Sequence, residues 1–193
     1  LVAFAVGYPA QADEKGPTSH VWAVPANGGD PRQLTSGRRT DSSPRWSPDG
    51  QTLAFLSNRE EEECLQIYLL PRTGGEALRL TGVEGGVKVP GNLDAIAWSH
   101  DGKRIAYLRT DPQTEEEKRR KKEKDDPIEF EKSPKFDRLY IVDLESGESV
   151  CVSPDALQLW EFSWGLGGHE FVAVASDLPF DWSWYTCRLV AFA

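Results

Sequence analysis

Methionine is missing from all 193 positions, the first included. A natural full-length chain begins with Met or shows a processing signal, so residues 1 and 193 are read as cut points within something longer. Also missing is any apolar run near the roughly 18 residues that span a bilayer. The apolar opening LVAFAVG is short, carries no basic flank and has no cleavage-like site behind it, so neither an anchor nor a signal peptide is expected, and no membrane partner. Cysteine is scarce. Cys64, Cys151 and Cys187 form no motif, and their odd number argues against a secreted disulfide framework and for a reducing, cytoplasmic compartment. An excess of positive charge is lacking as well: 22 Lys and Arg stand against 31 Asp and Glu, and a net charge of −9 would repel a phosphate backbone. Nucleic acid is therefore not an expected partner.

Chemical motifs are equally thin. No G-x-S-x-G nucleophile elbow occurs, and the glycine pairs join strands and open no helix, so they build no phosphate loop. His100 stands where a turn proline stands in a sister segment, His169 follows a glycine turn and His20 opens a strand; no two share metal-ligand spacing. Asp49 and Asp101 each precede a glycine in a turn, which is a structural use of Asp and not a catalytic carboxylate pair. No residue is assigned as catalytic, cofactor-binding or metal-ligating, and no cofactor is expected. Two groups leave a choice open. The acidic run at residues 60–63 reads as a solvated loop or as a greeting for a cationic substrate terminus. Phe180, Trp182, Trp184 and Tyr185 read as blade packing or an interface, or else as a stacking platform.

What the chain has is a repeat. With 39% hydrophobic and 10% aromatic residues it can build a core. SPRWSPDGQTLAFLSNR at residues 43–59 returns as AIAWSHDGKRIAYLRTD at 95–111, with Trp46 and Trp98 roughly fifty positions apart, the period of a supersecondary unit used repeatedly. Ser47-Pro48-Asp49-Gly50 suits a type I turn, Pro in second place and Gly in fourth. Short apolar runs flank it, LQIYLLP follows, and Gly74-Gly75 leads to ALRLT, giving four antiparallel strands. HVWAVPANGGDPRQLT at 20–35 and RLYIVDLESGESVCVS at 138–153 repeat the third and fourth strands; FSWGLGGHEFVAVAS keeps Trp164 but has a worn turn. The fold class predicted is all-β, a partial β-propeller of about three and a half four-stranded blades, with three, four, four and three strands. The units fall at residues 1–35, 42–81, 93–153 and 157–193, within one domain covering 1–193. A blade's strands are covered on both faces, which accounts for near-continuous apolar runs.

A charged insertion, residues 111–137, separates the second and third strands of the third unit and lengthens the step from Trp98 to Trp164. Glu117 and Lys121 are spaced to support a short helix, yet there is no apolar stripe to dock it, so a solvated, mobile excursion is expected. The sharper alternative is a lid or docking element, with PIEF and Phe136 supplying apolar contact.

These units resemble the propeller repeats shared by TolB-like proteins and the prolyl oligopeptidase family of serine peptidases. The stretch DDPIEFEKSPKFDRLYIVDLESGE after a Glu- and Lys-rich run is similar to the acylaminoacyl-peptidase branch. His100 in place of Pro, and the worn turn after Trp164, depart from the pattern. The resemblance implies an N-terminal seven-bladed propeller followed by an α/β-hydrolase domain that holds the catalytic Ser, Asp and His. None of those can be carried onto this chain. It further implies that the propeller admits short peptides and excludes folded proteins, with the hydrolase domain as its partner. The rival is a TolB-like scaffold for protein partners; a sugar lyase would need His and metal clusters that the sequence does not offer. Uncovered blade edges predict self-association, and two copies carry the strand count of a seven-bladed ring.

Overall fold

The computed structural model describes residues 1–10, 16–60, 64–90, 94–123 and 134–193. Its strands form four antiparallel meanders. Blade 1 holds β1 (Val2–Tyr8), β2 (Thr18–Val24) and β3 (Arg32–Gln33). Blade 2 holds β4 (Asp41–Trp46), β5 (Thr52–Ser57), β6 (Gln66–Pro71) and β7 (Leu78–Arg79). Blade 3 holds β8 (Ile96–Trp98), β9 (Arg104–Thr110), β10 (Asp137–Asp143) and β11 (Ser149–Cys151). Blade 4 holds β12 (Gln158–Trp164), β13 (Phe171–Ser176) and β14 (Arg188–Phe192). The strand count per sheet is the one the repeat predicts. Among the described residues, however, two chains would contain eight sheets, so the total of strands does not sort into seven four-stranded blades, and the ring of two copies is not what this order builds.

Local chemistry sets the turns. Gly50 N–H returns to the Ser47 carbonyl (2.8 Å) and Gly102 N–H to that of Ser99 (2.9 Å), with both glycines at positive φ, +66° and +69°. Replacing Pro48 by His100 leaves the turn intact. The worn copy also keeps it, since Gly168 N–H bonds the Gly165 carbonyl (3.1 Å) at φ +70°. The tryptophans hold one register: Trp46 faces Leu53, Trp98 faces Ile105 and Trp164 faces Phe171.

The hydrophobic core lies between blades and not within any one of them. Strand side chains alternate between two faces, so β5 sends Leu53 and Phe55 toward blade 1 but Ala54 and Leu56 toward blade 3. Likewise β9 sends Ile105 and Tyr107 to blade 2, and Ala106 and Leu108 to blade 4. All eight are fully buried. Each large aliphatic or aromatic side chain so placed contributes about 1.5–3 kcal/mol, which is why these strands tolerate no polar face.

Blades 1 to 3 also repeat one hydroxyl. Thr35, Thr81 and Ser153, just after the fourth strands, accept the N–H of Val21, Ile67 and Leu139 on the third strands (2.9, 2.9 and 3.2 Å). Buried donors that outlast the short fourth strand are thereby satisfied.

Candidate functional site

In a meander successive connections alternate between the two ends of the sheet. The second-to-third strand connections and the blade-to-blade connections therefore share one end, and this face carries the chain's unusual groups.

The described part of the insertion, residues 111–123 and 134–136, lies at this end. Asp111 N–H bonds the Phe136 carbonyl (2.8 Å), so the neck closes one residue earlier than the sequence indicated, and Asp137 begins β10. Helix α1 (Glu115–Glu123) rises from the neck. Thr114 caps it: Glu117 N–H donates to Thr114 Oγ1 (3.2 Å) and Thr114 N–H donates to the Glu117 carboxylate (2.6 Å), a reciprocal capping box. Ion pairs hold the helix down. Lys118 Nζ lies 2.8 Å from Glu84 in the connection between blades 2 and 3, and Lys135 Nζ lies 2.8 Å from Glu117. Lys135, ahead of the capping bonds, holds the Glu117 carboxyl at a pKa of about 2. The expected solvated excursion is thus, over residues 115–123, a helix fixed by charge where an apolar stripe is lacking. The PIEF segment lies outside the described residues. Phe136 is half-buried under the Arg138 guanidinium, 5.4 Å from its ring.

The acidic loop is represented by Glu60, residues 61–63 lying outside the described ones. Glu60 is not a free acid. It pairs with Arg79 and accepts the Tyr68 hydroxyl (2.9 Å), which lowers its pKa, while burial and then Glu60 push the Tyr68 phenol up to about 12. Arg59 next to it donates to Asp41 (3.0 Å) and lies over the Tyr68 ring at 4.7 Å. Asp41 in turn faces His20, whose Nδ1 stands 3.9 Å away, too far for a hydrogen bond. His20 is buried beside Tyr8; His100 and His169 are exposed turn residues. Asp49 and Asp101 accept Ser47 and Ser99 hydroxyls (2.6 Å each), which lower their pKa values and occupy them in the turns. Among the described residues no group of three or more His, Cys, Asp or Glu is placed to hold a metal ion.

The aromatic group sits on a short 3-10 helix, Asp181–Thr186, that sequence patterning did not indicate. Ser183 is its buried anchor, donating to the Phe180 carbonyl (2.6 Å). Trp182 and Trp184 are half-exposed and Tyr185 is 90% exposed, so these side chains do not pack between blades. Trp184 meets Trp160 edge to face at 5.7 Å. A bulge in β12 lies at Trp160, whose indole bonds Ser176 (2.9 Å).

Adjacent blades are tied across this face. Gln158 at the start of β12 accepts from Asp137 N–H (2.8 Å) and donates to the Asp137 carboxylate (2.9 Å).

Comparisons with known proteins agree with this geometry. A family model for the dipeptidyl peptidase IV (DPP IV) N-terminal region matches residues 14–130, more than half of the chain. The uncharacterized peptidase YuxL of Bacillus subtilis is 41% identical over 88 residues, 46% of this chain and 12% of its own. Dipeptidyl-peptidase 5 of Porphyromonas endodontalis is 33% identical over 106 residues, 55% of this chain and 14% of its own. The chain therefore spans a small part of these relatives' length. Among solved structures, a puromycin-hydrolyzing peptidase of Mycobacterium tuberculosis covers 98% of the chain, with 25% of its own length matched, at TM-score 0.62 and 18% identity. The Pyrococcus horikoshii acylaminoacyl peptidase covers 90%, with 26% of its own length matched, at TM-score 0.61 and 15% identity. TolB of Acinetobacter baumannii covers 90%, with 36% of its own length matched, at TM-score 0.56 and 18% identity. These structural likenesses concern the fold, and the sheets are propeller blades. The chain belongs to the family of dipeptidyl peptidase IV N-terminal regions, and its fold is that of a β-propeller.

Proposed function

We propose that the chain is the non-catalytic propeller portion of a serine peptidase, and that it controls the access of short peptides to a hydrolase domain of the same protein. The observation that carries this reading is the family match over residues 14–130, joined to two relatives that are both named peptidases. The physical role follows from the architecture. Blades held by inter-blade cores form a stiff wall, and a stiff wall beside a reaction centre selects by size and excludes water. The charged helix α1 and the aromatic 3-10 helix stand on one face of that wall, where an incoming chain would meet them.

The test has two arms. Purified chain is expected to hydrolyse neither dipeptidyl nor acylaminoacyl fluorogenic substrates and to remain unlabelled by a fluorophosphonate probe; stoichiometric labelling at a serine would refute the non-catalytic assignment. The coding sequence of the parent protein is expected to continue into an α/β-hydrolase with a G-x-S-x-G elbow. Its absence would favour the TolB-like scaffold.

A further inference from the structure

The junctions between blades follow one plan, and one of them departs from it in charge. Arg32 stands opposite Ala23 on β2 as Leu78 stands opposite Leu69 on β6, and Ala23 and Leu69 hold the same place in HVWAV and QIYLL. Arg72 likewise matches Leu144. Arg72 N–H bonds the Gln51 carbonyl (2.8 Å) and Leu144 N–H that of Lys103 (3.0 Å), Gln51 and Lys103 each following a turn glycine. Leu78 and Leu144 flank the junction of blades 2 and 3, where Leu144 packs on the apolar cluster. Their counterparts at the junction of blades 1 and 2 are two arginines.

Both arginines line a cavity of about 150 Å³, together with Leu34, Leu53, Leu70 and the Gly74-Gly75 turn. Its walls come from β3, β5, β6 and the turn after β6, on the side where blade 1 meets blade 2. Leu53 and Leu70 are buried while Arg32 and Arg72 are exposed, so the cavity has an apolar floor and a cationic mouth. Among the described residues neither guanidinium meets an acid or a carbonyl oxygen, whereas Arg59, Arg79, Arg138 and Arg188 are each paired. Two free cations at one mouth are a local exception in a chain of net charge −9. A guanidinium presents paired N–H donors that match a carboxylate, and a leucine-walled cavity of about 150 Å³ is large enough for a benzene ring. An inorganic anion would leave the leucine floor bare, and an uncharged apolar molecule would leave the guanidinium groups unanswered. An acid with an apolar body meets both.

We propose that the junction of blades 1 and 2 binds a small organic carboxylate, its acid group held by Arg32 and Arg72 and an apolar body the size of a benzene ring set against Leu34, Leu53 and Leu70. The site lies by the first-to-second and third-to-fourth strand turns, at the end of the blades away from α1 and the aromatic 3-10 helix. It is therefore separate from the face assigned to incoming peptides, and the proposal is independent of the peptidase reading. A ligand seated there touches two blades at once, so it stabilises the folded chain by mass action.

NMR titration of the 15N-labelled chain with benzoate tests it, with benzyl alcohol and inorganic phosphate each supplying half of the required chemistry. The expected result is a saturable shift of the Leu34, Gly74 and Gly75 amides, with benzoate bound roughly tenfold or more tighter than either control. R32L and R72L install the leucines of the sister junction, so each should melt no lower than the unaltered chain and yet lose benzoate affinity by roughly tenfold or more. R72K keeps the charge without the paired donors and should fall between. N-acetylphenylalanine stands for the C-terminal residue of a peptide; its body exceeds the cavity, and it should bind more weakly than benzoate. No saturable shift at these amides would overturn the proposal, and so would phosphate or benzyl alcohol bound as well as benzoate. Those controls use the unaltered chain, so they decide even where a variant folds poorly. Undiminished binding by both leucine variants would overturn the role of the arginines, and tighter binding of N-acetylphenylalanine would overturn the assignment to a small free acid.

Discussion

β1 and β5 are apolar strands that share an Ala-Phe pair in the same place but stand in different company, LVAFAVG against TLAFLSN. Each precedes the third strand of its blade, and each pairs with it in the same register. β5 has blade 1 on one face and blade 3 on the other, and Leu53, Ala54, Phe55 and Leu56 are fully buried. β1 contributes only Ala3, partly buried, to the core against blade 2, and leaves Val2 and Phe4 in solvent. Residue type sets what a strand is fit to bury; the neighbouring blade decides whether it is buried. The sharpest test is truncation at the same level of each strand. Phe55→Ala should cost about 3–5 kcal/mol in denaturant unfolding, Phe4→Ala less than about 1 kcal/mol. Equal costs would mean that blade 1 has a cover on its outer face.

The same logic applies to glycine. Gly85 and Gly86 share φ +76°, yet a Cβ on Gly86 would lie 2.8 Å from the Leu65 carbonyl oxygen, while one on Gly85 meets nothing within 4 Å. Gly86 N–H closes a turn on Val83 and brings the connection against β6, where Val87 N–H bonds the Leu65 carbonyl (2.7 Å). Gly86→Ala is therefore expected to cost about 3 kcal/mol and Gly85→Ala about 1 kcal/mol, the second being backbone strain alone. Comparable midpoint shifts for the two would show that Leu65 moves aside.

A finer comparison sets one tryptophan against another. Trp98→Phe and Trp46→Phe remove similar apolar area, but only the first breaks an indole–carbonyl bond. Trp98→Phe should cost about 1 kcal/mol more than Trp46→Phe. A reversed order would place an acceptor on Trp46.

These contrasts also separate what was legible in the sequence from what was not. Turns and strand count were legible because their causes are local: Ser47-Pro48-Asp49-Gly50 dictates its own geometry, and strands covered on both faces need apolar side chains throughout. The inter-blade indole bonds were not, since Arg45 and Trp98 become neighbours only once the blades stack. The 3-10 helix at residues 181–186 was missed for a related reason: its anchor, Ser183, is held by carbonyls of the preceding loop and shows no periodicity. Helix α1 was half legible. Thr114-x-x-Glu117 is a capping box visible in the sequence, and weighing the insertion by its lack of an apolar stripe applied the wrong criterion to a helix docked by charge.

That docking by charge, set against the apolar docking of blades 2 and 3, yields the smallest effect and the most specific one. Glu117 has its pKa lowered from 4.5 to about 2 by Lys135 first and the Thr114 amide second. A depressed carboxylate stabilises the folded form above its unfolded pKa and loses that contribution as pH falls. Attachment of α1 should therefore be complete above pH 4.5 and weaken between pH 4.5 and about 2, while the apolar cluster between blades 2 and 3 persists. NMR secondary shifts of residues 115–120, followed from pH 6 downward, should decline ahead of those of β5 and β9. Added salt should weaken the Lys118–Glu84 and Lys135–Glu117 pairs but not the capping bonds, so the helix should lose its attachment before its first turn. Loss of helix and blade signals at the same pH would instead mean that α1 is bound to the blades by more than charge.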